Sequence, residues 1–248
     1  MKLKKILLPL LTIAVFSTAF YPAFKASNEK ATAAVSGMIS STDHEAKNGE
    51  ANSTMALSAK LYDSLHLSDL GLSAEALQYA YKGYLTLVEQ GAVKNADVLT
   101  VCDFSQPSNK KRMYILDLKN FKVLLNTYVA HGKNSGSVMA ERFSNSMESL
   151  ESSLGFYITK NTYKGKHGLS LKLDGQEQGI NDNAEARSVV VHGAPYIGSG
   201  FMGRSFGCPA VPQQLAPKVI NYIKDGTCLF IYHPSMAYLS QSKLLNNA

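Results

Sequence analysis

From Asp97 to Tyr232 apolar residues alternate with polar ones in a succession of short runs, and that period limits what the chain can build. Side chains alternate across a strand, so a period of two with turn residues between the runs specifies sheet rather than helix. The runs are Val98 to Phe104, Met113 to Leu118, Phe121 to Val129 after a turn at Lys119 and Asn120, Gly155 to Thr159, Leu169 to Leu173, Ser188 to Val191 and Thr227 to Tyr232. In one of them Leu169, Leu171 and Leu173 share a face, Ser170 and Lys172 take the other, and Asp174 with Gly175 makes the turn that follows. A helix interrupts the late strands: Leu215, Val219, Ile220 and Ile223 fall on one side after Pro212, and Asp225 with Gly226 ends it. Many short strands with one late helix predict a mainly β domain over residues 96–233, a β-sandwich or partly closed barrel.

The segments before and after read differently. Residues 1–26 carry Lys2, Lys4 and Lys5, then an apolar run from Ile6 to Phe16, then small residues, which is the pattern of a secretory signal peptide. The run is short for a membrane span, and no cysteine follows it to carry a lipid. Cleavage removes four lysines and no acid, so the formal charge falls from +6 to +2. A nucleic-acid partner then loses its electrostatic support. Residues 27–54 are rich in Ser, Ala, Thr, Asn, Glu and Gly without a hydrophobic period, and are expected to form a flexible linker. Residues 55–95 read as a helical preface, with Ser73 as a cap, Leu77, Tyr81, Tyr84 and Val88 at helical spacing, and Gly91 as the stop. Residues 234–248 are expected to be a tail of loop or frayed helix.

The chemistry-bearing residues gather between Arg187 and Pro212, RSVVVHGAPYIGSGFMGRSFGCPAVP. Of the three cysteines, Cys228 lies five residues from His233, an odd spacing that sends strand side chains to opposite faces. Cys102 and Cys228 fit as small apolar strand residues, or as a disulfide if their strands are neighbours. His192 ends a strand and is followed by Gly193, so its imidazole lies at a strand-to-loop rim. Cys208 follows a Gly-rich loop that can return to it. A thiol attacks as thiolate, an imidazole can take its proton, and Gly207 opens the amides around Cys208 to a developing oxyanion. Pro209 disfavours helical geometry at Cys208. The bland alternative is a surface loop with a satisfied histidine and a cysteine that merely fills space. A zinc site lacks further ligands at familiar spacing, and no cofactor is called for.

HGAPY followed by GRSFGCPAV resembles the active-site signature of the murein L,D-transpeptidase (YkuD-like) catalytic family, in its branch with Gly-Arg-Ser-aromatic-Gly-Cys-Pro. The similarity extends through VAHGKNSG, SSLGFYIT, YKGKHGLSLKLDG and NDNAEARSVVVHG, and so covers most of residues 97–232. The resemblance implies an L,D-transpeptidase-like fold, with Cys208 as nucleophile and His192 as general base. Gly193 would orient the histidine through its carbonyl, the amides of Phe206, Gly207 and Cys208 would form an oxyanion hole, and Ser205 would shape the turn. The commoner motif has arginine two residues after the cysteine, where this chain has Ala210; Arg204, four residues before, stands either as a substrate-carboxylate ligand or in a structural salt bridge. His131 either lines a donor-peptide groove or hydrogen-bonds its loop, and Tyr196 either meets substrate or packs.

The implied function is a secreted cysteine acyltransferase acting on peptidoglycan stem peptides in the periplasm or wider cell envelope. Its thioester would be resolved by an amine to give a crosslink. The alternatives are an L,D-carboxypeptidase, another envelope amidase or endopeptidase with the same dyad, and a wall-binding module with an idle site.

Overall fold

The computed structural model describes residues 45–198 and 204–246. The expected signal peptide, and the linker as far as residue 44, lie outside the described residues. Helix α1 (Glu45–Ser64) corrects the end of that linker, because residues 45–54 are helical. These residues carry no apolar stripe, but Ala, Glu, Lys, Met and Leu favour helix through propensity alone.

Helix α2 (Ala74–Glu89) begins where Ser73 accepts a hydrogen bond from the Ala76 amide, the cap satisfying one of the donors a helix start leaves open. Leu77, Ala80, Tyr84 and Leu87 on its inner face are buried in one cluster with the sheet. Gly83 lets the helix approach closely, since a Cβ there would lie 2.1 Å from the Phe156 ring. Phe156 in turn stacks on Phe230 at 4.1 Å between centroids. The preface therefore shares the core of the β domain.

The strands are β1 (Val98–Asp103), β2 (Met113–Asp117), β3 (Lys122–Thr127), β4 (Gly155–Gly165), β5 (Gly168–Gly175), β6 (Val190–Ala194), β7 (Ala210–Pro212) and β8 (Cys228–Tyr232). They form one 8-stranded sheet in the order β3-β2-β1-β8-β4-β5-β6-β7. The β1–β8 and β6–β7 pairs are parallel and the others antiparallel. The sheet nearly closes, because the chain leaving β3 bridges β7 at Ala130 and Ala210 and meets Ser205 at Gly132. The protein is mainly β, a partly closed barrel, as its period predicts. Helix α3 (Ala216–Ile223) is the late helix, and its Val219, Ile220 and Ile223 are fully buried.

Three features differ from the expectation. Strand β7 adds to the expected strands, because three residues ending in proline carry no readable period. Strand β4 continues past Thr159 to Gly165 as a polar, exposed arm beyond a register shift between Thr159 and Thr162. Such a bulge bends a strand away from its sheet. The tail forms α4 (Met236–Gln241) and α5 (Lys243–Asn246), with Tyr238, Leu244 and Leu245 buried. It is anchored where Ser242 and Tyr238 donate to the buried Glu177 carboxylate.

Cys102 and Cys228 lie on neighbouring strands, yet both are free. Cys228 pairs with Leu99 and Cys102 with Ile231, an odd offset that points the two thiols to opposite faces. Burial pushes the Cys102 thiol up to about 12, so it stays protonated and apolar in character.

Candidate active site

β6 carries His192, and its parallel neighbour β7 begins at Ala210, which pairs with His192 two residues beyond Cys208. The fold thus brings the predicted histidine and cysteine to adjacent strands. His192 is buried, with Nδ1 2.9 Å from Gly193 O. A carbonyl can only accept, so Nδ1 carries the proton and Nε2 keeps its lone pair. The half-buried Cys208 thiol donates to Ser188 O at 3.7 Å, and among the described residues no hydrogen bond joins it to the imidazole.

Electrostatics place both groups in their neutral forms. Burial pushes the Cys208 thiol up, and the Val190 amide, Arg187 and Lys166 pull the other way. Burial holds the His192 imidazole below its ordinary value; its bond to Gly193 opposes this, and the charges of His167 and Lys166 add to it. The resting pair is accordingly a thiol and a neutral imidazole with a free Nε2, competent to accept a proton.

Ser205 organises the turn before the cysteine. Its hydroxyl donates to Cys208 O at 2.5 Å and accepts from the Gly207 amide at 3.1 Å, so that amide is engaged in the resting turn. Gly207 has φ +117°, a conformation that disfavours a side chain. Phe206 points outward, 66% exposed, with Lys133 Nζ 4.7 Å above its ring. Arg204 is exposed and donates from Nη1 to Gly136 O at 3.2 Å. Tyr196 is half-buried against the small cluster of Ala130, Ala194, Ile197 and Ala210. Burial first, and Cys208 second, raise its phenol.

His131 supports the loop from beneath rather than lining a groove. It is wholly buried, with Nδ1 accepting from Arg112 Nη2 at 2.8 Å and Nε2 donating to Gly136 O at 3.4 Å. Its carbonyl accepts from the Ser205 amide at 2.9 Å. Burial first, and the adjacent Arg112 charge second, hold its imidazole down at about 4, so it is neutral.

Two further groups, Arg187 and His167, surround the pair. Arg187 donates to Ser144 O, Ser149 Oγ, Glu151 O and Ser153 Oγ, tying the 144–153 segment behind Gly207. It stood first in the motif-bearing stretch, but nothing local reveals its acceptors. His167 lies at the β4–β5 turn and stacks on His192 at 4.3 Å between centroids, 28° between planes. The signal was present: a Lys-His pair between two runs of alternating period is a hairpin tip, though its target is set by the pairing of β5 with β6. No group of three or more His, Cys, Asp or Glu is placed to hold a metal among the described residues.

Comparison with known proteins adds a family. The model of the L,D-transpeptidase catalytic domain matches residues 68–232, a span that includes α2. No curated protein sequence matches the chain. Among solved structures, an L,D-transpeptidase from Mycobacterium smegmatis is similar at 13% identity, covering 55% of this chain and 59% of that one, TM-score 0.36. L,D-transpeptidase 3 from Mycobacterium tuberculosis, in complex with a faropenem-derived adduct, gives 10%, 55%, 60% and 0.38. The helical cell shape determining protein Pgp2 from Campylobacter jejuni gives 13%, 63%, 55% and 0.39. The chain spans less than two thirds of the length of each of these proteins.

Proposed function

The chain belongs to the L,D-transpeptidase catalytic-domain family, and on that premise we propose that it is an exported cysteine acyltransferase acting on peptidoglycan stem peptides. The observation that carries the reading is the His192 Nδ1–H held on Gly193 O, which leaves Nε2 as the free base on the strand beside the one that follows Cys208. His192 Nε2 takes the thiol proton as sulfur attacks the carbonyl of an L-residue, and the tetrahedral oxygen is met by amides of the 206–208 turn. Since Ser205 Oγ already receives the Gly207 amide, the Phe206 and Cys208 amides are the first donors in this scheme. The imidazolium then returns its proton to the nitrogen of the departing D-amino acid, leaving a thioester on Cys208. An amine from a second stem resolves the thioester to a crosslink; water in its place gives carboxypeptidase products. Arg204 and Tyr196 are the proposed substrate contacts on the loop side.

Intact-mass spectrometry tests the scheme. The protein is incubated with a stem tetrapeptide and, separately, with a carbapenem, and an adduct is expected on Cys208. Absence of any adduct, together with full activity in Cys208→Ala, overturns it.

A further inference from the structure

The β4–β5 hairpin reaches from the sheet to the dyad. Gly165 pairs with Gly168, so Lys166 and His167 alone form its turn. The arm is exposed from Lys160 onward, and at its tip the His167 ring lies flat on His192. Lys166 is thereby held within one residue of the group that covers the base, with its own side chain exposed. The other cations around the thiol are engaged or lie on the loop side. Arg187 spends its guanidinium on four protein acceptors, Arg204 donates to Gly136 O, and Lys133 sits over the Phe206 ring. Among the described residues, Lys166 forms no ion pair.

We propose that the hairpin tip is the subsite for the leaving residue of the donor: the Lys166 ammonium binds the free carboxylate of the terminal D-amino acid, and the His167–His192 stack holds the ammonium in place. This rests on the acyl-transfer reading above. A terminal residue carries its carboxylate one residue beyond the reacting carbonyl, and successive Cα atoms are about 3.8 Å apart. The cation that meets it must therefore stand beside the nucleophile and the base together. The charge of Lys166 bears on both Cys208 and His192, in keeping with that position. The carboxylate departs with the leaving amine, so the subsite acts on formation of the thioester and not on its resolution. Arg204, on the loop side, is left for another carboxylate of the stem.

The experiment compares two tetrapeptide donors, one with a free terminal carboxylate and one with a terminal carboxamide, by the kcat/KM for acylation of Cys208. The wild-type protein is expected to prefer the acid by about 10-fold, the scale of one partly exposed charge-assisted contact. Lys166→Ala brings the preference close to one, chiefly through KM; Lys166→Arg retains it; Lys166→Glu inverts it. A preference that survives in Lys166→Ala, or an equal loss on both donors, overturns the subsite while leaving the acyl-transfer reading in place. Failure of the wild-type protein to acylate either donor overturns both.

Discussion

Replacing Gly207 by alanine sets two costs on the residue before the nucleophile. Its φ of +117° lies where a residue with a Cβ is strained, typically by about 1–3 kcal/mol. The new Cβ would also stand 2.7 Å from Glu151 O and 3.4 Å from Arg187 Nη2. That carbonyl cannot easily yield, because Arg187 Nη2 holds it at 2.6 Å, and overpacking of this kind costs about 1–3 kcal/mol more. Together the two predict a loss of roughly 2–6 kcal/mol in denaturant titrations. Any relaxation must move Cys208, and a displacement of order 1 Å at a reacting group is worth about 100-fold in rate. Gly91→Ala is the control: its φ is +70° with nothing within 4 Å of a Cβ, so strain alone, about 1–2 kcal/mol, is expected there and acylation is unaffected. The reasoning is refuted if both variants lose the same stability, or if Gly207→Ala acylates at the wild-type rate.

Two further outcomes concern pH. Because burial raises the Cys208 thiol and lowers the His192 imidazole, alkylation of Cys208 by iodoacetamide should climb through the alkaline range. A plateau below pH 7 would mean a preformed thiolate–imidazolium pair and contradict the neutral resting state. His131 is neutral in the folded protein down to about 4, whereas the unfolded chain takes up that proton near 6.5. Its contribution is thus fully present above pH 6.5 and is lost as pH falls toward 4, by an amount on the order of 3 kcal/mol. Denaturant midpoints at pH 7 and 4.5 should show a steeper loss for the wild-type protein than for His131→Gln; equal slopes would remove His131 as the source.

What was legible in the sequence was local. The period of two located every strand except β7, Ser73 and Gly91 bounded α2, and the Gly-rich stretch singled out His192 and Cys208. Propensity without an apolar stripe hid the start of α1. The polar tail hid its helices because their anchor, Glu177, lies more than fifty residues away in sequence.

The sequence by itself determined the β character and the late helix, since each follows from spacing within a few residues, and it offered His192 and Cys208 as candidates. Only the tertiary structure decided what surrounds them. The parallel β1–β8 register sends Cys102 and Cys228 to opposite faces, and burial turns His131 into a support held by Arg112. The pairing of Ser170 on β5 with His192 on β6 sets the tip of the β4–β5 hairpin beside His192. These contacts join residues far apart in the chain, and strand register and burial are settled by packing the whole sheet rather than by any stretch of it.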